Sequence, residues 1–161
     1  TTIYYYFSDK EDLLSKIKLE RIRDLDNWII KRINPDKNAT EQIRQFVYAF
    51  LDWCVKNINI AELIFEKLPN LSGEKSIIYR DYYRPFFRVV DILKKGVQSG
   101  EFNLENEKLF TSLGFAWIYG IVRMHLHDVF IPEHRNNLDK LTDSMLDFIF
   151  QGIKKKEHIN E

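Results

Sequence analysis

Thr1-Thr2-Ile3-Tyr4-Tyr5-Tyr6-Phe7-Ser8-Asp9-Lys10-Glu11-Asp12-Leu13-Leu14 opens the chain and sets its architecture. An aromatic run stops at a Ser-Asp pair, and a new pattern begins. Ser8-Asp9-Lys10-Glu11 has the form of a capping box: the Glu11 N–H donates to the Ser8 hydroxyl oxygen, and the Glu11 carboxylate reaches back to the Ser8 N–H. Ile3 and Phe7 are four apart and share one face of a short helix, as packing residues do. Beyond the cap, Leu13, Leu14, Ile17, Arg21, Leu25, Trp28 and Ile29 recur at helical spacing. The order is a short helix, a turn and a long helix. Asn34-Pro35-Asp36 ends the long helix, because Pro35 disfavours α conformation at Asn34.

The same punctuation continues down the chain. Asn38 starts a second helix with the apolar series Ile43, Phe46, Val47, Phe50, Leu51, Cys54 and Val55. A short helix is expected over 60–68, stopped by Pro69-Asn70, with a loop at Ser72-Gly73. Residues 74–99 are helical in pattern, but Pro85 lacks an N–H and clashes with the Asp81 carbonyl, so a kink or break is expected near Arg84. Gly100 ends that segment, with Lys94 and Lys95 near its C-terminus. The next helix, 105–129, is apolar on two faces: Leu109, Phe110, Leu113, Ala116, Trp117, Ile121 and Met124 on one, Phe115, Ile118, Tyr119, Val122 and Leu126 on the other. Such a helix is expected to be buried on all sides, one of them covered by a partner subunit. Ile131-Pro132 breaks it. A last helix, 137–155, carries Leu138, Leu141, Met145, Phe148 and Ile149. The prediction is six helical segments and an all-α fold.

Composition narrows the function. The 161 residues include 24 Lys and Arg and 24 Asp and Glu, so the formal net charge is zero. DNA-contacting surfaces show a basic excess, so most of the chain is expected to do something else. The single cysteine, Cys54, excludes an internal disulfide framework and fits a reducing, cytoplasmic setting. On the apolar stripe of its helix it reads as an inert buried thiol. The uncharged run 109–122 is shorter than the roughly 18 apolar residues that a bilayer requires, so no membrane role is expected. His125 and His127 point about 200° apart on a helix and cannot share a metal. With no further ligand spacing, no metal or cofactor is expected. No phosphate loop, nucleophile elbow or paired-acid motif appears, which argues against an enzyme.

The opening stretch resembles the recognition helix and following helix start of the TetR/AcrR family of bacterial transcriptional regulators. The shared pattern is Thr, a branched apolar residue, Tyr, any residue, Tyr or His, Phe, two turn residues, Lys, an acidic residue, any residue and Leu. It is matched from Thr2 through Leu13. Gln98-Ser99-Gly100-Glu101 is similar to a turn common in the family, and the helix order resembles its regulatory domain. The resemblance implies that residues 1–14 are the end of a helix-turn-helix domain and 15–161 a ligand-binding and dimerisation domain. It also implies that the sequence continues a longer chain, with two more helices before Thr1.

The resemblance further implies that Thr1, Thr2 and Tyr5 face the major groove, that Tyr4 and Tyr6 meet phosphates, and that Lys10 lies near the backbone at a helix N-terminus. The partners it implies are operator DNA, a small-molecule effector and a second copy of the chain. Dimerisation would use Phe110, Leu113, Ile121, Met145, Phe148 and Ile149 in a four-helix bundle. A hydrophobic effector pocket would draw on the aromatics around Pro85 (Tyr79, Tyr82, Tyr83, Phe86, Phe87), with Phe46, Phe50, Trp53, Phe65, Trp117 and Tyr119. The plain alternative is a packed core. Arg123 and His127, four apart, are the candidate polar ligand contacts. The alternative for them is pairing with an acidic side chain or reaching solvent. The rival function is an all-α small-molecule-binding or interaction module with no DNA role.

Overall fold

The computed structural model describes residues 9–65, 77–134 and 137–154. Among them are seven α-helices: α1 (Lys10–Ile30), α2 (Ala39–Lys56), α3 (Ile58–Phe65), α4 (Ile77–Tyr82), α5 (Arg84–Gln98), α6 (Glu107–Leu126) and α7 (Leu138–Ile153). The expected kinked helix is two helices, which accounts for the seventh. The only strand-like feature among the described residues is one antiparallel bridge between Phe102 and Lys154. The fold is all-α.

Helix starts follow side-chain caps. Asn38 accepts from the Glu41 N–H and Asn106 from the Leu109 N–H. At α1 the N-cap is Asp9, whose Oδ1 accepts from the Asp12 N–H at 2.8 Å, and Ser8 lies outside the described residues. A carboxylate one residue later does the same work and adds negative charge at the helix N-terminus. α1 also stops at Ile30, before Pro35, because the intervening residues make the turn into α2. There the Asn34 N–H donates to Gln45 Oε1, and the Asn34 side chain accepts from the Asp36 N–H. α6 is shorter than expected at both ends. It closes on Asp128 in the left-handed region (φ 49°), with the Val129 N–H on the Met124 carbonyl and the Asp128 N–H on the His125 carbonyl.

Pro85 acts as its covalent structure requires. Tyr83 leaves helical geometry (φ −91°, ψ 14°), and Pro85 falls in the first turn of α5, where a missing N–H costs nothing. At the other end of α5, Gly100 takes φ 78°, the Glu101 N–H meets the Gly96 carbonyl and the Gly100 N–H meets the Val97 carbonyl. The turn throws the Glu101 carboxylate onto the start of α2, where it accepts from the Ala39 and Thr40 N–H groups at 2.9 Å each. A Cβ on Gly96 would sit 2.3 Å from the Phe102 ring, so this close approach needs glycine. The Ser-Gly-Glu turn thus joins the end of one helix to the start of another.

α2 is the central post, touching α1, α3, α5, α6 and α7. Its stripe from Ile43 to Cys54 is buried, while Val55 is exposed. α6 departs from expectation: only Thr111, Ile118 and Val122 are buried. Leu109, Leu113, Trp117 and Met124 lie open on the outside. By length and composition the 20-residue α6 could cross a membrane, contrary to the reading of its uncharged run. One side of it packs against α5 and α2, and a second apolar face is left open.

Candidate functional site

Five helical walls leave an apolar cavity of about 310 Å³. α1 supplies Ile22 and Leu25, α2 Phe50, α3 Ile64 and Phe65, the α4–α5 junction Tyr82, Tyr83, Pro85 and Phe86, and α6 Ser112 and Phe115. The space persists because stiff rings meet there edge-on. Phe115 stands at 84° to Phe50 with centroids 5.7 Å apart, and Phe86 lies 5.7 Å from Phe115. The break at Tyr83 prevents one straight helix from closing over them. The Tyr82 hydroxyl donates to the Ile64 carbonyl at 2.8 Å and ties α4 to α3.

The site carries no charge of its own. Burial pushes the Tyr82 hydroxyl up to about 12. Burial, then neighbouring Tyr79, raises Tyr83. Both phenols are neutral at physiological pH. The cavity is about twice the ~150 Å³ of an apolar cavity that admits benzene, so it can hold an aliphatic tail or a flat ring system. The polar side-chain groups on its wall are the hydroxyls of Ser112, Tyr82 and Tyr83, and Cys54 lies buried elsewhere with its thiol pushed up to about 12 by desolvation.

A larger groove of about 900 Å³ lies on the other side of the α4–α5 junction. It is open, and Arg80, Asp81, Arg84, Arg88, Asp91 and Lys95 line it together with Ile30, Ile33 and Phe87. Small-molecule sites are mostly apolar with few polar groups, so the smaller cavity is the better ligand site. Two ion pairs tie α1 to the groove side of the α4–α5 junction. Arg88 Nε and Nη2 each donate at 3.0 Å to the two oxygens of buried Asp26. Arg23 donates to Asp81 at 2.6 Å, and Arg84 also reaches Asp81. The Arg23 hydrogen bond, against burial and with help from Arg84, holds the Asp81 carboxyl below its ordinary 3.8.

Of the aromatic candidates, Phe50, Phe65, Tyr82, Tyr83 and Phe86 come together on the cavity wall. Trp53 is buried away from it, and exposed Tyr79 packs on Tyr83 at 4.5 Å. Tyr119 stands behind Phe65 at 5.2 Å. Trp117 stacks on Phe148 of α7 at 5.8 Å, on the outer face. Phe46 sits in the core and Phe87 lines the groove. Arg123 and His127 turn to Glu62 of α3, at 3.9 and 3.5 Å, and do not reach the cavity, so the acidic-partner alternative describes them. Sequence reasoning missed Ile22, Leu25, Ile64, Ser112 and Phe115 as wall residues. Ile22 is off the stripe read for the long helix, whereas the bulk of Phe115 opposite the Leu113 face was a usable signal.

On the outer face, Leu113 and Phe148 are exposed, whereas Phe110, Ile121 and Ile149 are half-buried. Met145 is packed into the chain's own core and does not join that surface. Lys10 is exposed at the first position of α1. Thr1, Thr2, Tyr4, Tyr5 and Tyr6 lie outside the described residues.

Residues 36–153 match the family described as Tetracyclin repressor-like, C-terminal domain. The chain is 24% identical over 156 residues to the Fatty acid metabolism regulator protein of Bacillus subtilis (strain 168), covering 96% of this chain and 79% of that protein. A protein of unknown function from Rhodococcus sp. RHA1 has the same fold, with a TM-score of 0.79 at 13% identity over 93% of this chain and 76% of that one. So does a bacterial regulatory protein of the tetR family from Rhodococcus RHA1, with a TM-score of 0.74 at 20% identity over 96% and 80% of the two chains. The family match over most of the chain agrees with the all-α helix order and with these structural neighbours, and the chain belongs to the TetR family of transcriptional regulators.

Proposed function

We propose that this chain is the sensor and dimerisation part of a regulator that releases operator DNA when a hydrophobic effector fills the cavity. Residues 1–14 would be the end of the DNA-reading domain and 15–161 the sensor, working in the cytoplasm. The observation that carries the reading is the cavity wall itself: Ile22 and Leu25 belong to α1, the helix that also bears Lys10 next to the DNA-reading segment. An effector that prefers one position of α1 shifts the protein toward it, in proportion to its difference in affinity for the two states. The Bacillus subtilis relative is named for fatty acid metabolism, which favours an aliphatic tail as the effector's apolar part.

The exposed apolar face of α6 and α7, with Leu113, Trp117 and Phe148, supports pairing of two copies as a four-helix bundle. A pair would present two recognition helices about 34 Å apart, one turn of DNA. The apolar fluorophore N-phenyl-1-naphthylamine tests the sensor: one molecule should bind per chain and be displaced by a medium-chain fatty acid. No binding, or operator affinity of the full-length protein unchanged by saturating fatty acid, would overturn the effector reading.

A further inference from the structure

α1 is fastened to the α4–α5 element twice, once on each side of the break at Tyr83. Arg23 grips Asp81 on α4, and Asp26 grips Arg88 on α5. Residues 23 and 26 are three apart and lie on one face of α1, one turn from each other. Each is next in sequence to a cavity-wall residue, Ile22 or Leu25. A change in cavity contents that alters the angle between α4 and α5 therefore pulls on two fastenings at once.

The two fastenings are unequal. The Asp26 side chain is 1% exposed and takes both donors of a planar guanidinium fork, which fixes direction as well as distance. Removing Arg88 strands the buried Asp26 carboxylate, which is strongly unfavourable, whereas Arg88 itself is 30% exposed. Arg23 is 51% exposed, and Asp81 keeps Arg84 when Arg23 leaves. A pair with one partner in solvent is weaker than a buried fork and is screened by salt.

We infer that Asp26–Arg88 is the fixed pivot of α1 and that Arg23–Asp81 is a releasable clasp one turn closer to the DNA-reading end. Ile22 lies about 6 Å along the helix from the pivot and Lys10 about 24 Å, at 1.5 Å per residue. A displacement at the cavity wall is thus magnified roughly fourfold at the end of α1. Asp26, Arg88, Arg23 and Asp81 are positioning residues that touch no ligand. The inference rests on the reading of this domain as a ligand-responsive regulator, but the clasp can be tested without any effector.

Amide hydrogen exchange on the chain supplies that test. Arg23→Gln should speed exchange at residues 12–22 about two- to fivefold, as loss of a pair with one partner in solvent implies, and leave 27–30 unchanged. Raising salt should do the same to the wild-type protein and add nothing to the variant. Arg88→Lys keeps the charge but loses the fork, so exchange should rise about tenfold along the whole of α1 and into α5. Asp26→Asn should act over the same range and more strongly. If it fails to fold, Arg88→Lys alone decides. Equal acceleration of 12–22 and 27–30 by Arg23→Gln would overturn the proposal, as would an Arg88→Lys effect confined to 12–22. Failure of a fatty acid to bind would remove the effector reading and leave these results standing.

Discussion

α2 and α6 are both apolar helices of nearly equal length, and they meet opposite fates. Ten of the 18 residues of α2 are buried within the chain, but only three of the 20 in α6. α6 nevertheless has no acidic residue after Glu107. An apolar pattern records that a surface must leave water, not where it goes. α2 is covered by five neighbouring helices. α6 spends one side on the core and cavity and leaves Leu109, Leu113 and Trp117 outside, beside Phe148 of α7. Exposed apolar residues grouped in this way support the proposed pairing of two copies.

If α2 is the internal post, Phe46→Ala should be the most damaging of the changes considered. The side chain is 1% exposed, and its loss should cost about 3–5 kcal/mol in urea denaturation. A cost below about 1 kcal/mol would mean that α2 is not packed as described. Phe148→Glu should reverse the pattern. At 68% exposure it should barely move chain stability but weaken self-association about a hundredfold or more, read by light scattering against concentration. Unchanged self-association would remove the α6–α7 face as the dimer contact.

A third change separates the two sides of α6. Ser112→Trp places a ring at the cavity wall and should weaken N-phenyl-1-naphthylamine binding about tenfold without altering self-association. Loss of both together would mean that cavity and outer face are one surface. The smallest expected effect concerns the start of α2. Burial alone would raise the Glu101 carboxyl, but the neighbouring Thr40 hydroxyl and the two N–H bonds from Thr40 and Ala39 outweigh it and hold it below 4.5. A depressed folded value means that the stabilisation is present above the unfolded value and lost as pH falls through the folded one. Glu101→Ala should therefore cost about 1 kcal/mol at neutral pH, and the two proteins should converge in acid. A pH-independent difference would show that the carboxylate charge is irrelevant to the cap.

The candidate site was legible in part. Proline at 85 and a crowd of aromatics around it pointed to the junction that forms one wall, and Phe50, Phe65, Tyr82, Tyr83 and Phe86 meet there. Arg123 and His127 drew attention as polar groups four apart on a helix expected to be buried, but their helix face is half open, with Glu62 of α3 beside it. The start of the long helix was legible too: adjacent Ser and Asp can each cap, and Asp9 Oδ1 accepts from the Asp12 N–H. The family resemblance rested on residues 1–14, whereas the match that establishes it spans 36–153.

Local chemistry settles where helices begin and end. Asn38, Asn106, Pro85 and Gly100 act through atoms a few residues away, so their effects can be read along the chain. Burial and pairing obey no such limit. Asp26 finds Arg88 62 positions later, and Glu101 reaches back 62 positions to Ala39. Which aromatics face a cavity, which apolar face of α6 stays open and which charge becomes a pivot all depend on such distant partners. Only folding brings them within reach of one another.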